Sequence, residues 1–120
     1  VIGVESNPMA VQSAIQNGAG LPISFKAARV EKVLSSLLQE RRPQTVVVNP
    51  PRGGLHSNVI QALQDHGPST LIYMSCMPPT LARDLKSLTR YQLDHIALYD
   101  MFPQTTHLEV IALLKYSHTK

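Results

Sequence analysis

Three stretches of this 120-residue chain carry residue types and spacings that can do chemistry. The first is Leu71–Thr80, centred on Cys76, the only cysteine; an apolar run ends at Ser75, and Pro78-Pro79 lead into a helix expected over Thr80–Leu88. At such a strand-to-helix junction the N–H groups of the helix start favour a thiolate, which would make Cys76 a nucleophile. Position alone leaves the alternative open that Cys76 is a small buried hydrophobe. The second stretch is Asn49–Gly54, Asn-Pro-Pro-Arg-Gly-Gly. Proline forces the residue before it into extended geometry, so Asn49 is held stiffly at a strand end, and the two glycines let backbone pass close to a ligand. The plain alternative is a rigid turn with a capping Asn.

The third stretch is Asp100–Glu109, where Glu109 interrupts the otherwise apolar Leu108–Leu114. An outward-facing strand residue is the usual explanation of such a Glu, whereas partial burial would suit it to proton transfer. His107 shares its sheet face if the strand is regular. It has no second His or Cys at ligand spacing, so no metal site is expected. Glu5 closes the first strand, where nucleotide-binding α/β sheets place an acid for ribose hydroxyls. A solvated strand-end carboxylate accounts for Glu5 equally well. His56, His66, His95 and His118 read as surface or capping residues.

These residues need a scaffold, and the pattern supplies one. Val1–Val4 reads as a strand ending at Glu5, and Asn7 then caps a helix with Pro8 at its first position and Ala10, Val11, Ala14 and Ile15 inward, stopping at Asn17-Gly18. Ile23–Phe25 is a short strand. Val30, Val33, Leu34, Leu37 and Leu38 recur at helical spacing until Arg41-Arg42-Pro43. The β-branched run Thr45–Val48 is of the kind buried on both faces of a parallel sheet. Ser57 is a candidate cap for a helix with Val59, Ile60 and Leu63 inward; Leu71–Met74 is the next strand, and Leu81, Leu85 and Leu88 give the following helix its inner stripe. Leu93–Tyr99 and Leu108–Leu114 are joined without a helix and so pair antiparallel. The sum is an α/β layered sheet with helices on both faces and a C-terminal hairpin.

Composition agrees with a single globular domain: 43% hydrophobic and 16% charged residues, with apolar runs no longer than strands, so no membrane partner is expected. A lone cysteine excludes an internal disulfide and fits a reduced, cytoplasmic setting. The net charge of +3 is compatible with an RNA partner, but no dense Lys/Arg tract demands one.

Taken together, Val1–Glu5, Asn49–Leu55, Ser75–Leu85 and Asp100–Glu109 resemble, in order and spacing, the S-adenosylmethionine-dependent RNA (uracil-5)-methyltransferases. The resemblance runs from Glu5 to Leu114 and implies a Rossmann-like class I methyltransferase sheet. By resemblance Cys76 adds to carbon 6 of uracil, Glu109 removes the carbon 5 proton, Glu5 and Asn49 belong to the cofactor site, and Arg52 meets the substrate. The target base must be unstacked to reach the cysteine. The Asp100–Pro103 signature is more similar to the enzymes of 23S ribosomal RNA than to the transfer-RNA one. Two positions depart from the family: Asn49 stands where Asp is usual, so it cannot carry charge, and Met77 stands where Asn is common.

On this resemblance residues 1–120 are the C-terminal part of a catalytic domain. Its first strand and Gly-rich loop, and the iron–sulfur cysteines of many members, would lie before Val1. The absent strand would sit between those ending at Glu5 and Asn49. The isolated chain is therefore expected to be inactive, and either to pair those two strands directly or to self-associate through an exposed edge. Two other readings compete. Asn-Pro-Pro also marks amino-group methyltransferases, which need no cysteine, and a non-catalytic RNA-binding module could keep the fold.

Overall fold

The computed structural model describes residues 1–117; His118 lies outside them. The elements are β1 (Ile2–Glu5), α1 (Pro8–Asn17), β2 (Ser24–Ala27), α2 (Val30–Arg41), β3 (Thr45–Val48), α3 (Ser57–His66), β4 (Thr70–Ser75), α4 (Pro78–Ser87), β5 (Tyr91–Tyr99) and β6 (Glu109–Tyr116). The alternation and the terminal antiparallel hairpin expected from the sequence are both present.

Among the described residues the strands form two sheets. β1 and β2 are a parallel pair, and the other four run in the order β3-β4-β6-β5, with β3 parallel to β4 and β6 antiparallel to both of its neighbours. Direct pairing of the strands that end at Glu5 and Asn49 does not occur. Each parallel pair is built by its own crossover helix, α1 for β1–β2 and α3 for β3–β4. The segment between the two units, α2, brings neither β1 nor β2 into hydrogen-bonding register with β3.

The core lies on one side of the four-stranded sheet. Leu38 of α2, Leu63 of α3 and Leu81 of α4 close over Leu71 and Tyr73 of β4 and over Val110, Ala112 and Leu114 of β6. All five strand residues share one face, because side chains alternate along a strand. Burying each large apolar side chain contributes about 1.5–3 kcal/mol. Thr45–Val48 is not buried on both faces as expected from its sequence: Val46 and Val48 pack against the core, while Val47 is 58% exposed. The helices over this sheet share one face, so the reverse side of β3 has no cover from them. On α1, similarly, Val11 is buried but Ile15 is 55% exposed, since only one flank of that helix meets β1 and β2.

Several boundaries moved for local reasons. Helix α4 begins at Pro78, not Thr80, because prolines at the first two positions lack N–H groups that would go unpaired there anyway. The cap of α3 is His56, whose Nδ1 accepts from the Asn58 N–H at 3.1 Å; Ser57 is already helical. Asn7 caps α1 as expected, accepting from the N–H groups of Met9 and Ala10.

Candidate active site

Strand register decides which residues meet. On the antiparallel pair of β4 and β6, Ser75 stands opposite Val110. One step further along both chains, just past the last pair of that ladder, come Cys76 and Glu109. Glu109 is flanked on its other side by Tyr99 of β5. On the parallel pair Val48 stands beside Tyr73, so Asn49 leaves the sheet at the same end. The loops carrying Asn49, Cys76 and Glu109 thus open on one edge.

Cys76 is half-buried in the bend between β4 and α4. The Ser75 hydroxyl shapes that bend by accepting from the Met77 N–H at 3.0 Å and donating to the Met77 carbonyl at 3.2 Å. With α4 starting at Pro78, only Met77 separates the thiol from the first helical residue.

The Asn49–Leu55 loop leans on α4. Asp84, 1% exposed, accepts the Tyr73 hydroxyl at 2.6 Å and the Leu55 N–H at 2.7 Å on one oxygen. Its other oxygen takes Nε and Nη2 of Arg83 at 3.1 and 2.8 Å. Nη2 of Arg83 also donates to the Gly53 carbonyl at 2.7 Å. Burial first, and then the Asp84 carboxylate, raise the Tyr73 phenol well above its ordinary range, so it remains a donor. Gly54 between the two tie points has φ +83°; a Cβ there would lie 2.5 Å from Thr80 Cγ2 and 2.6 Å from Arg83 Nη2 and would collide with Asp84.

Arg52 is exposed, and its Nη2 reaches Nδ1 of His107 at 3.4 Å. A guanidinium can only donate, so Nδ1 accepts. His107 also meets the Phe102 ring edge-on at 6.4 Å. It is not on the strand with Glu109, as a regular strand from Leu108 would have required: Gln104 at φ 68° and the Thr105 hydroxyl, bonded to the Phe102 carbonyl at 2.7 Å, hold residues 102–107 in a turn, and β6 starts only at Glu109. The turn instead brings His107 against the loop of Arg52.

Glu5 ends β1, in the other sheet. Its Oε1 accepts the Asn7 N–H at 2.8 Å and the Ser6 hydroxyl at 3.3 Å. The Asn7 N–H, chiefly, lowers its pKa, so this exposed carboxylate stays ionised below the usual range. No ladder links it to Cys76. The Asn49 side chain is exposed at its strand end. Among the described residues no three His, Cys, Asp or Glu side chains gather as a metal site requires.

The residue that sequence reasoning missed is Asp84. A signal was there: position 84 falls on the inner stripe defined by Leu81, Leu85 and Leu88, where an acid has no apolar reason to be.

Comparison with known proteins now bears on this arrangement. Residues 25–117 match the family described as tRNA (uracil-5-)-methyltransferase. The chain belongs to that family. It is 43% identical over 121 residues to an uncharacterized RNA methyltransferase of Protochlamydia amoebophila, an alignment covering 96% of this chain and 28% of that protein. With the 23S rRNA (uracil(747)-C(5))-methyltransferase of Actinobacillus succinogenes it shares 40% over 115 residues, or 93% of this chain and 30% of the relative. The tRNA (uracil-54, C5)-methyltransferase of Pyrococcus abyssi, solved in complex with S-adenosyl-L-homocysteine, superposes with a TM-score of 0.81 at 34% identity, covering 95% of this chain and 28% of that one. The Rossmann-like methyltransferase sheet expected from the sequence is therefore the fold of this family member. The chain spans less than a third of the length of these relatives.

Proposed function

We propose that this chain is the C-terminal part of the catalytic domain of an RNA methyltransferase that moves a methyl group from S-adenosylmethionine to carbon 5 of a uridine. The observation that supports this reading is the register of β4 and β6, whose last pair, Ser75 and Val110, leads directly to Cys76 and Glu109 at the edge where the Arg52 loop also opens. In the reaction Cys76 adds as a thiolate to carbon 6 of uracil, and the electron pair moves toward carbon 5 and the carbon 4 oxygen. Arg52, exposed on the loop tied to α4, stabilises that developing enolate oxygen. Bound S-adenosylmethionine supplies an electrophilic methyl group to carbon 5. Glu109 then takes the carbon 5 proton, the double bond re-forms, and the Cys76 thiolate leaves.

The chain's residues fit such a cofactor. Glu5 presents an ionised, exposed carboxylate at a strand end to ribose hydroxyls, and Asn49 offers an amide that can bond but carries no charge. Ribosomal RNA is the substrate we favour, on the Asp100–Pro103 signature and the 40% identity to a relative named for 23S rRNA. A reduced cytoplasm suits the free thiol.

The experiment is to incubate the longer protein with methyl-labelled cofactor and either 23S rRNA or tRNA, then digest to nucleosides. Label in 5-methyluridine, greater from 23S rRNA, is expected. Label in an N-methylated nucleoside contradicts uracil-5 chemistry, and no label from either RNA favours a binding module. Residues 1–120 assayed alongside should give no turnover, since no ladder fixes Glu5 relative to Cys76, and should self-associate through the open edges of β1 and β3. Turnover by the isolated chain would overturn this last point.

A further inference from the structure

We infer that Asp84 is a positioning residue for this reaction: its carboxylate clamps the loop carrying Arg52 onto the helix that starts beside Cys76. The inference rests on the methyl-transfer reading above. The clamp grips the loop on both sides of Gly54, at the Leu55 N–H directly and at the Gly53 carbonyl through Arg83. Arg52 is one peptide away from the grip at Gly53, and Cys76 is two residues before the helix that supplies it. Substrate oxygen and carbon 6 must meet Arg52 and Cys76 together, so the spacing of those two groups governs the first bond-forming step.

The chemistry of the spot calls for a carboxylate. Donors converge on it from Tyr73, Leu55 and Arg83; the Leu55 N–H and the Arg83 guanidinium can only donate, and the Tyr73 hydroxyl gives its one proton here. A leucine would suit the helix stripe and avoid desolvating a charge, so packing alone gives no reason for an acid here. Gly54 completes the fit, since any Cβ would push the loop off the carboxylate.

The test compares Asp84→Asn, Arg83→Ala and the double variant in the longer protein, using RNA that contains 5-fluorouridine. Asparagine keeps an acceptor for Leu55 but turns an N–H group toward one of the donors. The Arg83 side chain is 60% exposed, so its removal spares the fold and keeps the test valid if Asp84→Asn folds poorly. We expect both single variants to slow formation of the Cys76 adduct by roughly 10–100-fold, on the scale of a small misplacement of reacting groups. KM for the cofactor should not move, and the double variant should be no slower than Asp84→Asn, because both changes open one clamp. Folded single variants that form adduct at the wild-type rate, or a double variant whose losses multiply, overturn the positioning role alone. No adduct in the wild type overturns the methyl-transfer reading, and this inference with it.

Discussion

Cys76→Ser in the full-length enzyme is expected to reduce methyl transfer by roughly 10⁴-fold or more, the scale of removing a covalent nucleophile. Carbon 5 of uracil is a poor nucleophile until carbon 6 carries a thiolate, so the cysteine is needed before any methyl can move. A serine hydroxyl occupies nearly the same space but stays protonated at neutral pH and adds far more slowly. Cys76 lies in a bend outside β4, so the exchange leaves the ladder to β6 and the core beneath it intact. Single-turnover assays with labelled cofactor read the rate, and cofactor binding measured separately should be unchanged. Activity within tenfold of wild type would show that no thiolate participates and would favour methylation of nitrogen.

The second large effect concerns Glu109→Gln. Glutamine matches the shape of the carboxylate but cannot take a proton, and loss of a general base costs about 10²–10⁴-fold in turnover. Its particular signature is that the block comes late: attack by Cys76 and methyl addition precede proton removal. The variant should therefore accumulate a methylated protein–RNA adduct on ordinary RNA, seen as a slow-migrating band on denaturing gels. Position supports the role, because Glu109 opens β6 between Tyr99 and the Cys76 bend. Slow turnover without an adduct would mean that Glu109 acts before attack, and full turnover would remove it from the reaction.

Much of this was legible in the sequence because local rules set it. Asn7 and Pro8 announced α1, the spacing of Val30 to Leu38 announced α2, and the lack of a helix between residues 99 and 108 announced the hairpin. The three stretches singled out at strand ends stood out for a similar reason, since proline, glycine and a lone cysteine are conspicuous there. Long-range facts were not. Whether Val47 is covered depends on which side three separate helices choose, and no window of sequence contains that choice.

The expectation of a regular strand before Glu109 missed a turn that residues 102–107 build, since β6 starts only at Glu109. It put His107 on the sheet beside Glu109, when that turn carries it to Arg52 instead. The Asp84 clamp was hidden most deeply: its partners come from β4, α4 and the loop after β3, which only the fold brings together.

Covalent attack by Cys76 is tested most directly by mass analysis of the denatured full-length protein after reaction with cofactor and RNA containing 5-fluorouridine. Fluorine at carbon 5 cannot leave as a proton, so Glu109 has nothing to remove and the thiolate cannot depart. A stable adduct carrying both the methyl group and the nucleotide is expected, mapped by peptide fragmentation to Cys76. Methylated RNA with no adduct at Cys76 would contradict covalent attack.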